Sequence, residues 1–117
     1  MDRQGGNSPI GTITMSKPAC REIKPWILFH VPHDSTTIPQ DVINQFLLSN
    51  DELKQELLLM TDHHTLELFT RYVPAHQVIA STVSRLVVDV ERFSDDNAEL
   101  MSKKGMGAIY QLTSHGK

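Results

Sequence analysis

Trp26-Ile27-Leu28-Phe29-His30-Val31, closed by Pro32, is the stretch on which the fold turns. A short apolar run bounded by proline reads as a buried strand. Residues 33–38 then form a polar loop. Pro39 suits the first turn of a helix whose apolar stripe is Val42, Ile43, Phe46 and Leu47. Ser49 and Glu52 have capping-box spacing, which starts a second helix with Leu53, Leu57, Leu58 and Met60 on its buried face. A continuation or new helix carries Leu66, Leu68 and Phe69 until Val73-Pro74 stops it. Residues 77–81 predict a second strand, and Arg85-Leu86-Val87-Val88-Asp89-Val90-Glu91-Arg92 predicts a stronger one, apolar and β-branched in its middle. Strand, helices, then strands place the chain in the α/β class with a partly parallel sheet.

Around this centre the composition is that of a globular domain. The chain has 117 residues, 39% hydrophobic and 21% charged, which allows one buried core. Eleven basic against fourteen acidic residues leave a net charge of −3, which argues against a nucleic-acid partner. No apolar run approaches the roughly 20 residues that span a bilayer, and no secretory signal opens the chain, so no membrane partner and a cytoplasmic location are expected. The single cysteine, Cys20, excludes an internal disulfide framework. Residues 1–25, rich in glycine and proline, read as a flexible arm with a short extended piece at 10–15.

Three places carry candidate chemistry. His33 lies just beyond the carboxyl end of the first strand, where ligands collect in open α/β sheets. A neutral imidazole there is a good zinc ligand, and a loop imidazole bonded to backbone is the plainer alternative. Strand alternation sends His30 to the opposite face. Asp62-His63-His64-Thr65 offers an acid and two imidazoles, but neighbours on a helix diverge by about 100°, so at most one or two face one ion. On spacing alone, a solvated polar helix junction is the better reading of these letters. The same letters occur in the DHH phosphoesterases, which place them after a strand rather than a leucine-rich helix and imply manganese chemistry. Arg85 and Asp89, four apart on the expected strand, share a side, with Arg92 just past its end. Paired guanidinium groups suit an acidic ligand, and a purely structural Arg–Asp pair is the competing explanation. Residues 94–97 form a solvated turn without EF-hand spacing, and Gly105 and Gly107 lack the Gly-Lys-Ser/Thr of a phosphate loop.

Several of these pieces recur together in one family. They are Val31-Pro32-His33-Asp34-Ser35 with Ile38-Pro39, then Thr61-Asp62-His63-His64-Thr65 with Glu67-Leu68-Phe69. Ser84-Arg85-Leu86-Val87-Val88-Asp89-Val90-Glu91-Arg92 and Gly105-Met106-Gly107-Ala108-Ile109-Tyr110 complete the set. In order and approximate spacing they resemble the N-formylglutamate amidohydrolase family over about residues 26–117. The resemblance covers the N-terminal half of that family's domain, so a truncated portion is expected.

The resemblance implies an α/β/α sandwich around a mixed sheet, like that of zinc-dependent carboxypeptidases. It implies hydrolysis of N-formyl-L-glutamate, or a similar small acidic N-acyl amino acid, as in histidine breakdown. By the same resemblance His33 is a Zn2+ ligand and Asp62 a second metal-site or supporting acid. Arg85 and Arg92 hold substrate carboxylates, ordered by Asp89. A later histidine and the general base are expected beyond Lys117. Two departures stand out: Leu66 where the family often has Asp, and Glu91 where it usually has Asn. They keep open a second reading, a non-catalytic binding or assembly module whose unpaired sheet edge is covered in a homo-oligomer.

Overall fold

The computed structural model describes residues 23–117. Most of the expected arm, with the extended piece at 10–15 and Cys20, lies outside the described residues. Strand β1 is Phe29–Val31, helix α1 is Asn50–Met60, helix α2 is Thr65–Tyr72 and strand β2 is Val78–Ala80. The strands pair in parallel, Phe29 with Val78, His30 with Ile79 and Val31 with Ala80. Ser81 N–H to Val31 O, at 3.1 Å, extends the ladder by one bond. A parallel pair needs a long crossover, and α1 with α2 supplies it. The α/β class is therefore observed, as a mixed arrangement with a small sheet. No helix among the described residues is long and apolar enough to cross a membrane.

Local chemistry explains both helices. Ser49 accepts the Glu52 N–H, and the Glu52 carboxylate accepts the Ser49 N–H, closing the capping box that begins α1. The predicted buried face is only partly right. Leu53 is buried, Leu58 and Leu59 are exposed, and the other buried position is Glu56. Glu56 survives burial because its two oxygens accept the N–H and hydroxyl of Ser114.

Helix α2 is a new helix rather than a continuation, because His64 sits between them in the left-handed region at φ 65°. Its own N-cap side chain makes no capping bond. Asp34, from the loop after β1, does this instead by accepting the Leu66 N–H at 3.2 Å. At the other end the Val73 N–H returns to Phe69 O before Pro74 stops the helix. Phe69 packs on Phe29, ring centroids 5.5 Å apart, so α2 covers β1.

Two predicted elements are corrected. The helix expected after Pro39 is only a 3₁₀ turn, Ile43–Gln45. Phe46 leaves helical backbone at ψ 131°, and none of the turn's residues is buried. A stripe without a packing partner cannot sustain a short helix. The strand expected over residues 85–92 is a pair of tight turns instead. Val87 N–H bonds Ser84 O and Arg92 N–H bonds Asp89 O. The Ser84 hydroxyl accepts the Leu86 N–H and the Asp89 carboxylate accepts the Glu91 N–H. These short side chains offer the backbone a local alternative to a ladder. Arg85 and Asp89 still meet, through helical rather than strand spacing.

Gln77, buried immediately before β2, ties the strands at their amino ends. Its amide donates to Lys24 O at 2.8 Å and Ile27 O at 2.9 Å. Gln77→Ala leaves Ile27 O without this donor and Lys24 O with the Ile27 N–H alone, and is expected to cost about 2 kcal/mol. The exposed neighbour substitution His76→Ala is expected to stay within about 0.5 kcal/mol. Urea denaturation of the two variants measures the difference.

Candidate functional site around His33 and Asp89

The site assembles at the carboxyl ends of both strands. Pro32 carries the chain out of β1 and His33 turns inward, 5% exposed. Its carbonyl accepts the Asp62 N–H at 2.9 Å, which docks the α1–α2 junction beside the imidazole. Beyond β2, the Ser35 hydroxyl donates to Thr82 O and the Ser84 N–H bonds Thr37 O at 2.8 Å. The turns that follow carry Arg85, Asp89 and Arg92 to the same place.

Asp89 is 1% exposed, and both its oxygens are saturated. Oδ1 lies 2.9 Å from His33 Nε2 and accepts the Glu91 N–H at 3.1 Å. Oδ2 accepts from Arg85 Nη2 at 2.7 Å and from the Tyr110 hydroxyl at 2.8 Å. Arg85 Nε donates to that hydroxyl at 3.0 Å. Burial alone would raise the Asp89 pKa. The hydrogen bonds from His33, Arg85, Tyr110 and Glu91 outweigh it and hold the carboxyl well below the usual carboxylate range.

The same balance acts on its partners. Burial would lower the Arg85 pKa, but the bond to Asp89 and the contact with Tyr110 raise it. Burial, then the Asp89 bond, pushes the Tyr110 phenol up, so the hydroxyl keeps its proton to donate.

An ionised Asp89 only accepts hydrogen bonds, which fixes the imidazole. In neutral His33, Nε2 carries the hydrogen and Nδ1 presents a lone pair. Nδ1 lies 3.6 Å from Asp62 Oδ2, on a side chain 61% exposed. A buried carboxylate behind a histidine whose other nitrogen faces an oxygen donor is the usual support of a metal-ligating imidazole. His33 Nδ1 and Asp62 are thus the pair suited to a metal. Among the described residues no three His, Cys, Asp or Glu side chains form a metal cage.

Arg92 is placed differently from Arg85. Its Nε is 3.4 Å from Asp89 Oδ2 and its Nη1 is 3.6 Å from Glu99 Oε1. Among the described residues, its Nε and Thr61 Oγ1 are the buried side-chain polar atoms without a hydrogen bond. Glu91, 53% exposed, brings Oε2 to 3.6 Å from His33 Nε2.

His33, Asp62, Arg85, Asp89 and Arg92 therefore form one constellation, whereas His63 and His64 fall outside it. His63 Nε2 lies 3.2 Å from Leu58 O, and the exposed His64 faces Glu67. Sequence reasoning assigned no role to Tyr110 or Glu99. Tyr110 had a signal, an aromatic hydroxyl closing a glycine-rich stretch beside acidic and basic candidates. Glu99 had none.

The family model described as N-formylglutamate amidohydrolase matches residues 26–117. The chain belongs to that family. No curated protein matches it, and no solved structure does. The family match spans every residue of the constellation, from His33 to Tyr110. Amide hydrolysis is the family's chemistry by that description.

Glu99 gives the site a pH signature. Its carboxylate accepts the Met101 and Phe93 N–H groups, which lowers its pKa. A depressed folded value means the stabilisation is present above the unfolded carboxyl range, about pH 4.3, and is lost as pH falls through the folded value. In thermal melts, wild type is expected to exceed Glu99→Gln at neutral pH, with the gap closing as the solution is acidified. A constant gap would contradict this.

Proposed function

We propose that this chain carries metal-binding and substrate-carboxylate groups of a zinc-dependent amide hydrolase acting on a small N-acyl amino acid. N-formylglutamate or a similar acidic amide is the substrate class in view. The observation that carries the proposal is His33 held between Asp89 and Asp62. The donor set fits zinc: a neutral imidazole nitrogen and an exposed carboxylate, two of the three protein ligands that a catalytic site takes. Bound zinc would polarise the amide carbonyl and lower the pKa of its water to about 7.

The protein's own groups do the remaining work. Asp89 keeps the His33 Nδ1 lone pair available and its ring oriented. Arg85 is largely committed to Asp89 and Tyr110, so it secures the carboxylate that orients His33. Arg92, 25% exposed against 15% for Arg85 and held only by long contacts to two acids, is the guanidinium better able to receive a substrate carboxylate. Glu91 places an anion beside His33, so a carboxylated substrate is best received with its charge turned towards Arg92. We further infer that the parallel strand pair is part of an α/β/α sandwich of the zinc-carboxypeptidase type. The family match and the α-covered parallel pairing support that architecture.

Zinc stoichiometry of the wild type and His33→Ala, measured by metal analysis after dialysis, tests the metal assignment. Near-complete loss in the variant is expected, and equal zinc in both would overturn it. Formate release from N-formylglutamate tests the anchor. Arg92→Ala is expected to raise KM roughly tenfold with kcat little changed, as for loss of uniform binding. An unchanged KM would remove the anchoring role. A protein that neither retains zinc nor releases formate would favour the binding-module reading, which the exposed Leu28 and Ile79 beside the strand pair support.

A further inference from the structure

We propose that Tyr110 is a positioning residue for His33, acting through the Asp89 carboxylate. The proposal deepens the hydrolase reading and takes from it only the place of His33 in the reaction. Tyr110 OH, Arg85 and Asp89 Oδ2 form a closed triangle. The hydroxyl donates to Oδ2 at 2.8 Å, Arg85 Nη2 donates to the same oxygen at 2.7 Å, and Arg85 Nε donates to the hydroxyl at 3.0 Å. A carboxylate is free to turn about its last bond unless both oxygens are held. Arg85 and Tyr110 hold Oδ2 while the Glu91 N–H holds Oδ1 at 3.1 Å, and together they aim Oδ1 at His33 Nε2.

The segment that carries Tyr110 grips Asp89 a second time. The Asp89 N–H donates to Ala108 O at 2.8 Å, so backbone and carboxylate are placed from one stretch. That stretch is folded on itself by the antiparallel Met106–Tyr110 bridge and by Gly105 at φ 70°. A Cβ at Gly105 would come within 2.6 Å of the Leu112 side chain, which leaves the turn little latitude. Loss of the hydroxyl would leave Oδ2 with Arg85 Nη2 and the 3.4 Å contact to Arg92, and Arg85 Nε without its acceptor. Tyr110 touches neither His33 nor Asp62 in these interactions; its influence passes through Asp89.

The test is Tyr110→Phe, which removes one oxygen and keeps the ring under Arg85. Nitrogen-edited NMR of the imidazoles at about pH 8, where free imidazole is neutral, reads the His33 Nε2–H directly. In wild type that hydrogen is expected to be slow to exchange with solvent. In Tyr110→Phe its exchange is expected to be roughly tenfold faster, and Zn2+ alone, titrated by calorimetry, to bind roughly tenfold more weakly. Arg85→Lys, which loses the Nε donor, is expected to move the same His33 signals in the same direction, and carries the test should Tyr110→Phe not fold. A variant with a lower melting temperature but wild-type His33 exchange and zinc affinity would show a merely structural tyrosine and overturn the proposal. If wild type binds no zinc while Tyr110→Phe still speeds exchange, the metal reading fails and the positioning role stands.

Discussion

The Asp89 carboxylate is buried almost completely, and an ion there is tolerable only while its hydrogen bonds persist. His33, Arg85, Tyr110 and the Glu91 backbone supply them. These donors come from the loop after β1, the turns after β2 and the glycine-containing segment near residue 110. Satisfying one charge therefore joins three stretches of chain. Among the described residues the buried apolar side chains are Val31, Leu53, Val73 and Leu86. The electrostatic requirement and the functional geometry coincide in the same atoms.

A second constraint places Asp62. The Asp62 N–H is fixed to the His33 carbonyl, and Asp34 caps α2 from the adjoining loop position. The junction between the helices is thereby tied at both sides to the end of β1. The carboxylate of Asp62 is exposed while its backbone N–H is tied to the end of β1.

Legibility in the sequence followed the range of the interactions. The Ser49–Glu52 capping box and the Val73-Pro74 stop are local, and both lie where the pattern put them. The β1 and β2 assignments held because short apolar runs between turn signals pack as strands. The run at 85–92 misled because its valines suit a strand, whereas the deciding groups were the Ser84 hydroxyl and Asp89 carboxylate, which fold it into turns. That His33, Arg85, Asp89 and Arg92 share one place was expected from residue chemistry, although the strand expected to carry the last three is replaced by turns, and Asp62 joined them only through the family resemblance. Tyr110 left only the hint of a hydroxyl closing a glycine-containing stretch and Glu99 none, because each acquires its role from a partner brought in by tertiary folding.

The Glu56–Ser114 pair has a consequence for the order in which the polypeptide matures. The carboxylate on the inward side of α1 waits for donors 58 residues downstream. During synthesis the helix can coil as soon as its capping box emerges, but it cannot settle into its final seat while Glu56 still seeks water. Closing so long a loop is an entropic step late in assembly. A chain lacking Ser114 would thus leave the Glu56 carboxylate without these donors and α1 less firmly seated.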